Sequence, residues 1–345
     1  MAIIDKPSDY FNTVLYSGTG STQSITGVGF QPDLIWGKNR SATGSHNLVD
    51  SVRGVSKVIY SNLTDAEATD TSSYNAFGSD GFTMGSQSNI NGSGNNIVSW
   101  NWKAGTSFTN DASATGIGSI DSSGSVNQDA GFSICSYTGA GGVITVKHGL
   151  NTVPSVIITK NLPDANHWGV YHHKNTTAPQ TEFLYLSDTR ATTDDATMWN
   201  DTAPTSSIFT AGDHSSSNRS GDPFIAYCFS EKQGYSKFSS YVGNGSSDGS
   251  YIHLGFKPAF VMVKRTDASS HWRMFDNKRE GYNVDNDALK ANTSDAETTT
   301  DFIDLLSNGF KLRSSDSAVN SGTLIYMAFA ENPFVTSSGV PATAR

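Results

Sequence analysis

The sequence predicts an all-β fold: three tandem, related antiparallel β-sandwich modules of jelly-roll type, with short helices confined to loops. Three observations carry that reading. Charged residues make up only 16% of the 345 while aromatics reach 11% and glycines number 33, a balance of strand formers and turn formers. A Gly- and Pro-containing turn followed by an apolar run occurs three times, as GFQPDLIWGKNR (29–40), GLNTVPSVIITKN (149–161) and GFKPAFVMVKR (255–265). Each copy also closes on a Gly-containing turn and an alternating strand: NGSGNNIVSWNW (91–102), NRSGDPFIAYCF (218–229) and NSGTLIYMAF (320–329).

The elements of each copy follow in order. An aromatic-rich strand ends at Tyr16, Tyr137 or Tyr241 and runs into a glycine turn, Gly18–Gly20, Gly139–Gly141 or Gly243–Gly245. The spacing of these tyrosines makes the repeat about 100 to 120 residues long, the size of a domain rather than of a solenoid unit. After the Gly/Pro turn, the runs LIW, VII and FVMV read as buried strands whose polar ends are marked by Lys38, Lys160 and Lys264. Copies one and three then share SHNLVDSVRG (45–54) and SSHWRMFDNKRE (269–280), which place Asp50 with Arg53 and Asp276 with Arg279. TDAE (64–67) and SDAE (294–297) have the form of a capping box, so a short helix is expected at each. FGSDGFTMG (77–85) and LLSNGFKLR (305–313) read as a turn and a strand. In the closing strand, Val98, Trp100 and Trp102 align with Ile225, Tyr227 and Phe229 and with Ile325, Met327 and Phe329, so one large apolar face is expected to cover each module's own core. The middle copy keeps these outer strands but reads NHWGVYHHKN (166–175) in between.

This register sets module one at 8–104, module two at 131–230 and module three at 234–334. The Ser- and Gly-rich stretch 105–130 reads as an extended linker or a loosely paired arm, and 335–345 as a polar tail that frays unless a partner holds it. A net charge of −9 with no basic run argues against nucleic-acid binding. The chain has no apolar window long enough to insert in a membrane and no signal-like start, so it is expected to be soluble and made in the cytoplasm. Cys135 and Cys228 are too few for a disulfide framework; they lie on the first and last strands of module two, which are often neighbours in a sandwich, yet their counterparts Val14 with Asn101 and Ser239 with Ala328 need no bridge.

Several side chains invite a chemical reading. His148, His167, His172 and His173 suggest a metal site, but adjacent residues of a strand point to opposite faces, and a surface loop with imidazoles is the simpler reading; no metal and no cofactor is expected. The carboxylates Asp65 with Glu67 and Asp295 with Glu297 fall in the capping boxes, where a structural duty outweighs glycoside cleavage. No Gly-x-Ser-x-Gly elbow, phosphate loop or dinucleotide fingerprint is present, so no enzyme is expected. Asp50–Arg53 and Asp276–Arg279 read either as local ion pairs pinning a loop or as polar contacts to a glycan hydroxyl. Trp168 and Trp272, the latter beside His271, are the candidates to stack on a sugar ring, whereas alternation places Trp100 and Trp102 inside. Trp168, Trp272, His271, Asp50, Arg53, Asp276 and Arg279 together form the expected ligand-binding set.

Taken together, the Tyr-x-Gly turn, Gly29–Arg40, Ser79–Gly85, Trp100–Gly105 and Ala328–Phe334 resemble a group of bacteriophage virion proteins, frequent in marine phages, of tail or fibre type. The resemblance covers nearly the whole chain. It implies a virion component made in the host cytoplasm, whose partners are other virion proteins, copies of itself as a homo-oligomer (a trimer among the candidates) and a host surface glycan. It carries no catalytic residue over. A capsid decoration or head fibre is the alternative within the particle, and a polysaccharide depolymerase the alternative from another class.

Overall fold

Three inner sheets with the same strand order form the frame of the protein in a computed structural model, which describes residues 3–279 and 287–342. Module one comprises β1 (Phe11–Ser17), β2 (Gln23–Thr26), β3 (Leu34–Asn39), β4 (Asn47–Asp50), β5 (Lys57–Val58), β6 (Ala68–Thr69), β7 (Tyr74–Gly78), β8 (Gly81–Met84), α1 (Ser88–Asn91) and β9 (Asn96–Trp102). Next come β10 (Thr106–Asn110), α2 (Ala112–Thr115) and β11 (Ser122–Asn127). Module two has β12 (Phe132–Thr138), β13 (Ile144–Lys147), β14 (Val156–Asn161), β15 (Gly169–His172), β16 (Glu182–Tyr185), β17 (Thr193–Asp194), α3 (Ala196–Trp199), β18 (Ile208–Ala211) and β19 (Pro223–Phe229). Module three has β20 (Ser236–Asn244), β21 (Tyr251–His253), β22 (Phe256–Arg265), β23 (Arg273–Asp276), β24 (Leu289–Lys290), β25 (Ile303–Leu306), β26 (Gly309–Leu312), α4 (Ser317–Asn320) and β27 (Ser321–Pro333).

The inner sheets run β1-β9-β3-β4, β12-β19-β14-β15 and β20-β27-β22-β23, all antiparallel, and each has a smaller outer sheet: β2-β8-β7, β13-β18 and β21-β26-β25. The expected all-β class holds. The Gly/Pro turns work as the sequence suggested: Gly29, Gly149 and Gly255 sit at φ of +84°, +78° and +86°, a conformation that side chains with a Cβ resist. The two turn-and-strand motifs of copies one and three are the hairpins β7–β8 and β25–β26.

The closing strands correct one expectation. Their large apolar residues do not face the core of their own module. Trp100 and Trp102, Tyr227 and Phe229, and Met327 and Phe329 all belong to one shared core at the centre of the molecule. The opposite faces of the same strands, such as Phe224, Ala226 and Cys228 or Leu324, Tyr326 and Ala328, fill the space under each outer sheet. The central strands are therefore buried on both faces, and the molecule has four interiors rather than three. The equivalent rings of Trp102, Phe229 and Phe329 meet in a triangle with centroids 5.6–6.4 Å apart. Such mutual contact of equivalent residues is what a three-fold axis generates. Next to the triangle lies a small apolar cavity of about 20 Å³; it has room for roughly one water but no polar partner to hold it.

Two further expectations change, and of the two readings of 105–130 the paired arm is the one found. Residues 105–130 are not a free linker: β10 and β11 form a hairpin whose second strand pairs with β12, extending the sheet of module two. No helix starts at either capping-box sequence; the four α-helices among the described residues are one-turn segments elsewhere, and Glu67 and Glu297 are captured by guanidinium groups instead. In the tail, Ser337 is held by Asp5 through its backbone and its hydroxyl. Cys135 and Cys228 are buried free cysteines on the adjacent strands β12 and β19.

Candidate functional site

The repeated polar residues lie at the joints between modules, and each joint repeats the others in cyclic order. Pairing of β3 with β4, β14 with β15, and β22 with β23 makes His46, Trp168 and Trp272 structural equivalents, because Leu48, Val170 and Met274 occupy the same register opposite Trp36, Ile158 and Met262. The shared Ser-His pair of copies one and three is thus one residue out of register. His46, whose Nδ1 accepts from Trp36, donates from Nε2 to Lys290 O of module three (2.9 Å), Trp168 donates to Tyr60 O of module one (3.0 Å), and Trp272 to Tyr185 O of module two (2.8 Å). Trp168 and Trp272 are 0% and 2% exposed, which corrects the expectation that they stand in loops ready to stack on a sugar. An indole N–H needs a partner when buried, and the neighbouring module supplies it.

The lysines that seemed to mark strand ends do the same work. Lys38, Lys160 and Lys264 are fully buried. Each donates to a carbonyl of its own module and to one of the next: Lys38 to Ser294 O (3.2 Å), Lys160 to Thr64 O (3.2 Å) and Lys264 to Thr189 O (3.0 Å). Burial pulls all three ammonium groups down to about 8. Backbone hydrogen bonds complete the joints: Glu297 N to Arg40 O, Glu67 N to Leu162 O and Thr192 N to Thr266 O, at 2.7–2.9 Å.

Asp50 with Arg53 and Asp276 with Arg279 are buried brackets. Arg53 donates from Nε to Asp50 (2.6 Å) and from Nη1 to Glu67 (3.0 Å); Arg279 donates from Nε to Asp276 (2.6 Å) and from Nη1 to Glu297 (2.7 Å). Each aspartate also receives a donor from another module: Tyr227 Oη reaches Asp50 at 2.7 Å, and Trp100 Nε1 reaches Asp276 at 3.1 Å. Arg40 of module one adds a forked contact to Glu297. Burial by itself disfavours the Arg279 cation, but Asp276 and Glu297 outweigh it and raise its pKa. The ion-pair reading of these residues is the one their geometry matches, and the expectation that they meet a glycan hydroxyl is corrected, since Asp50, Asp276 and Arg279 are buried and the Arg53 side chain is nearly so. His271, the seventh expected residue, is half-buried against Asn292.

Module two carries the same bracket in neutral form, which sequence comparison missed. At the positions of Asp50, Arg53 and Glu67 stand His172, Asn175 and Thr192. Thr192 donates to Asn175 Oδ1 (2.7 Å), and His172 Nε2 contacts Tyr326 O of module three (3.1 Å). Burial pushes the His172 imidazole down to about 3, so it is neutral. Opposite it the donor is gone: the residue equivalent to Trp100 and Tyr227 is Met327. Acid, base and donor all differ together in module two, so no charge is left buried alone.

A second three-fold feature shapes the end of the molecule farthest from the chain ends. Tyr16, Tyr137 and Tyr241 donate their phenols to Ile90 O, Ser217 O and Val319 O. The next residues, Asn91, Asn218 and Asn320, are buried, and their amides pin the glycine turns: Asn91 to Ser21 O (2.6 Å), Asn218 to Gly142 O (2.8 Å) and Asn320 to Ser246 O (2.6 Å). Gly18, Gly139 and Gly243 lie so close to these segments that a Cβ would sit 2.2 Å from backbone atoms of Gly92, Arg219 and Asn320. The turns themselves expose Thr19, Ser21, Ala140, Gly142, Asn244 and Ser246.

On the flank of module two, His167 contacts Ser187 Oγ (3.0 Å), Arg190 (3.0 Å) and, at 3.9 Å, Asp188. This resembles a nucleophile and base, but Arg190 has only donors, so His167 Nε2 must accept and Nδ1 must carry the proton. The imidazole then has no lone pair for the serine hydroxyl. Among the described residues no group of three or more His, Cys, Asp or Glu is placed to hold a metal ion, and no helix is long and apolar enough to cross a membrane.

No curated protein matches the chain. The family model described as Domain of unknown function (DUF7483) matches residues 6–333, nearly the whole length, and the chain belongs to that family.

Proposed function

We propose that the protein is a non-enzymatic structural component of a bacteriophage particle, a tail-fibre or appendage body that binds host-surface glycans weakly through its tip loops. The observation that carries this reading is the polarity of the molecule. Ile4 N bonds Gln233 O, Phe334 N bonds Gly255 O, and Ser337 is held by Asp5, so both ends of the described chain and the connections between modules gather at one base. The three pinned glycine turns project from the opposite end of the same antiparallel sheets. An appendage needs that arrangement: attachment at one end, presentation at the other, and a body whose buried joints keep the two in fixed relation. The tip offers hydroxyls, amides and free backbone groups in place of the buried tryptophans, which suits shallow, weak contact with a sugar.

Electron microscopy of particles labelled with gold-conjugated antibody against the purified protein tests the reading. Gold on the tail or its fibres is the expected result; gold spread over the capsid would replace it with a decoration role, and absence from the particle would overturn it. Incubation with host polysaccharide is expected to release no new reducing ends.

A further inference from the structure

The three modules have equivalent first strands, β1, β12 and β20, each paired on one edge with its closing strand and turning its other edge away from the inner sheet. Only β12 is covered there, by β11, which pairs along it from Ser122–Tyr137 to Asn127–Phe132. Pairing with the closing strands makes Ile134 and Ser136 equivalent to Thr13 and Leu15 in β1 and to Phe238 and Ser240 in β20. In β20 the backbone of Phe238 is satisfied by side chains, Glu231 below and His173 of module two above. Beyond it, the exposed Ser240 and Val242 have outward backbone groups with no protein partner, as does the exposed Leu15 in β1, whereas Thr13 on the same edge is buried.

The open stretches of the two edges carry none of the usual protection. Natural proteins blunt an open edge with lysine, proline, a bulge or a covering segment. The runs Thr13–Tyr16 and Ser239–Val242 contain no charge and no proline, and both pair with their neighbours without a register shift. Val242 is 69% exposed and Leu15 37%, beside an edge able to accept a strand.

We propose that the free edges of β1 and β20 are docking sites for an extended, uncharged, Ser/Gly-rich arm of a partner protein, added as an extra antiparallel strand. The chemistry of the occupant follows from the arm that already fills the equivalent place. In Ser122–Asn127, Gly124 sits where a Cβ would lie 1.9 Å from Ile134 O, and serines face the strand on either side of it. Small residues let the added backbone come close, and main-chain bonds supply most of the affinity.

The test uses a synthetic peptide of residues 122–128, SSGSVNQ, blocked at both ends so that it carries no charge, and the full chain. At peptide concentrations up to about 1 mM, the weak end of specific binding, the amide protons of Leu15 and Val242 are expected to exchange at least about tenfold more slowly with solvent. Leu15→Pro with Val242→Pro is expected to abolish peptide binding while leaving the thermal midpoint close to wild type, because the N–H groups removed have no partner in the fold. If that variant misfolds, Leu15→Lys with Val242→Lys serves the same purpose by charging the edge. Absence of binding, or binding unchanged in both variants, would overturn the proposal. So would concentration-dependent self-association of the wild type that these substitutions remove, since the occupant would then be a second copy of the chain.

Discussion

At the scale of the residue, the tryptophans and brackets that look like binding groups in the sequence are the struts of the interior. Truncating Trp272 to Ala is expected to cost about 3–5 kcal/mol, because it removes a buried indole and strands the carbonyl of Tyr185. Trp272→Phe should lose less, by keeping the ring. Urea unfolding of the two variants checks the order. Asp276→Ala removes one of the two carboxylates that balance the buried Arg279, leaving only Glu297, and is expected to destabilise by about 3–5 kcal/mol, more than Tyr227→Phe, which deletes one donor to a carboxylate at about 1.5–3 kcal/mol.

The buried lysines give a pH dependence with an unusual sign. Lys38, Lys160 and Lys264 hold their protons less well folded, at about 8, than an unfolded lysine near 10.5. Between those values the unfolded chain binds more protons, so stability rises with pH there and is lost as pH falls through the folded value. Buried tyrosines such as Tyr74 and Tyr137 are pushed upward by burial and reverse the trend once free tyrosine ionises near 10. Urea midpoints should therefore climb from about pH 8 to about pH 10, and a flat or falling profile would contradict carriage of the charge by these three groups.

At the scale of the element, the tip turns depend on Asn91, Asn218 and Asn320. Replacing Asn218 by Ala removes three bonds to the 140–142 turn and should cost about 1–3 kcal/mol. Limited proteolysis is expected to nick the variant within 139–143 before any other site. Much of this level was legible from sequence. The three glycine turns, the closing strands and the counterparts of Cys135 and Cys228 fall in the structure where the repeated motifs put them. The capping boxes misled because Ser/Thr-x-x-Glu describes only one use of its glutamate; Arg53 and Arg279 offered Glu67 and Glu297 a charged partner that a backbone N–H does not match. The neutral bracket of module two was illegible for a different reason: His172, Asn175 and Thr192 share no residue type with Asp50, Arg53 and Glu67, only a geometry.

At the scale of the whole molecule, alternation showed that one face of each closing strand was large and apolar but not what that face would meet. A period of two identifies an inward side; it cannot distinguish a module's own interior from one built jointly with two others. The joint interior makes the thirds interdependent. Of Phe229, Phe329 and Trp102, each loses one of its two partners in the triangle if one other third is absent and both if its module stands alone, so a fragment of residues 131–230 expressed alone should show the exposed apolar face of Ile225, Tyr227 and Phe229. Dye binding and aggregation of that fragment, against a cooperatively unfolding full chain, would check it; a soluble, cooperatively folding fragment would contradict it.

Linking three related units on a single polypeptide has a further effect. In an assembly of identical chains any substitution appears at every corner at once, so an aspartate changed to histidine would alter all contacts together. Here His172 stands at one corner with Met327 across from it, while the other two corners carry Asp50 with Arg53 and Asp276 with Arg279. Each corner, and each loop above it, is free to drift on its own, and a body of this kind can offer three dissimilar surfaces from a nearly symmetric core.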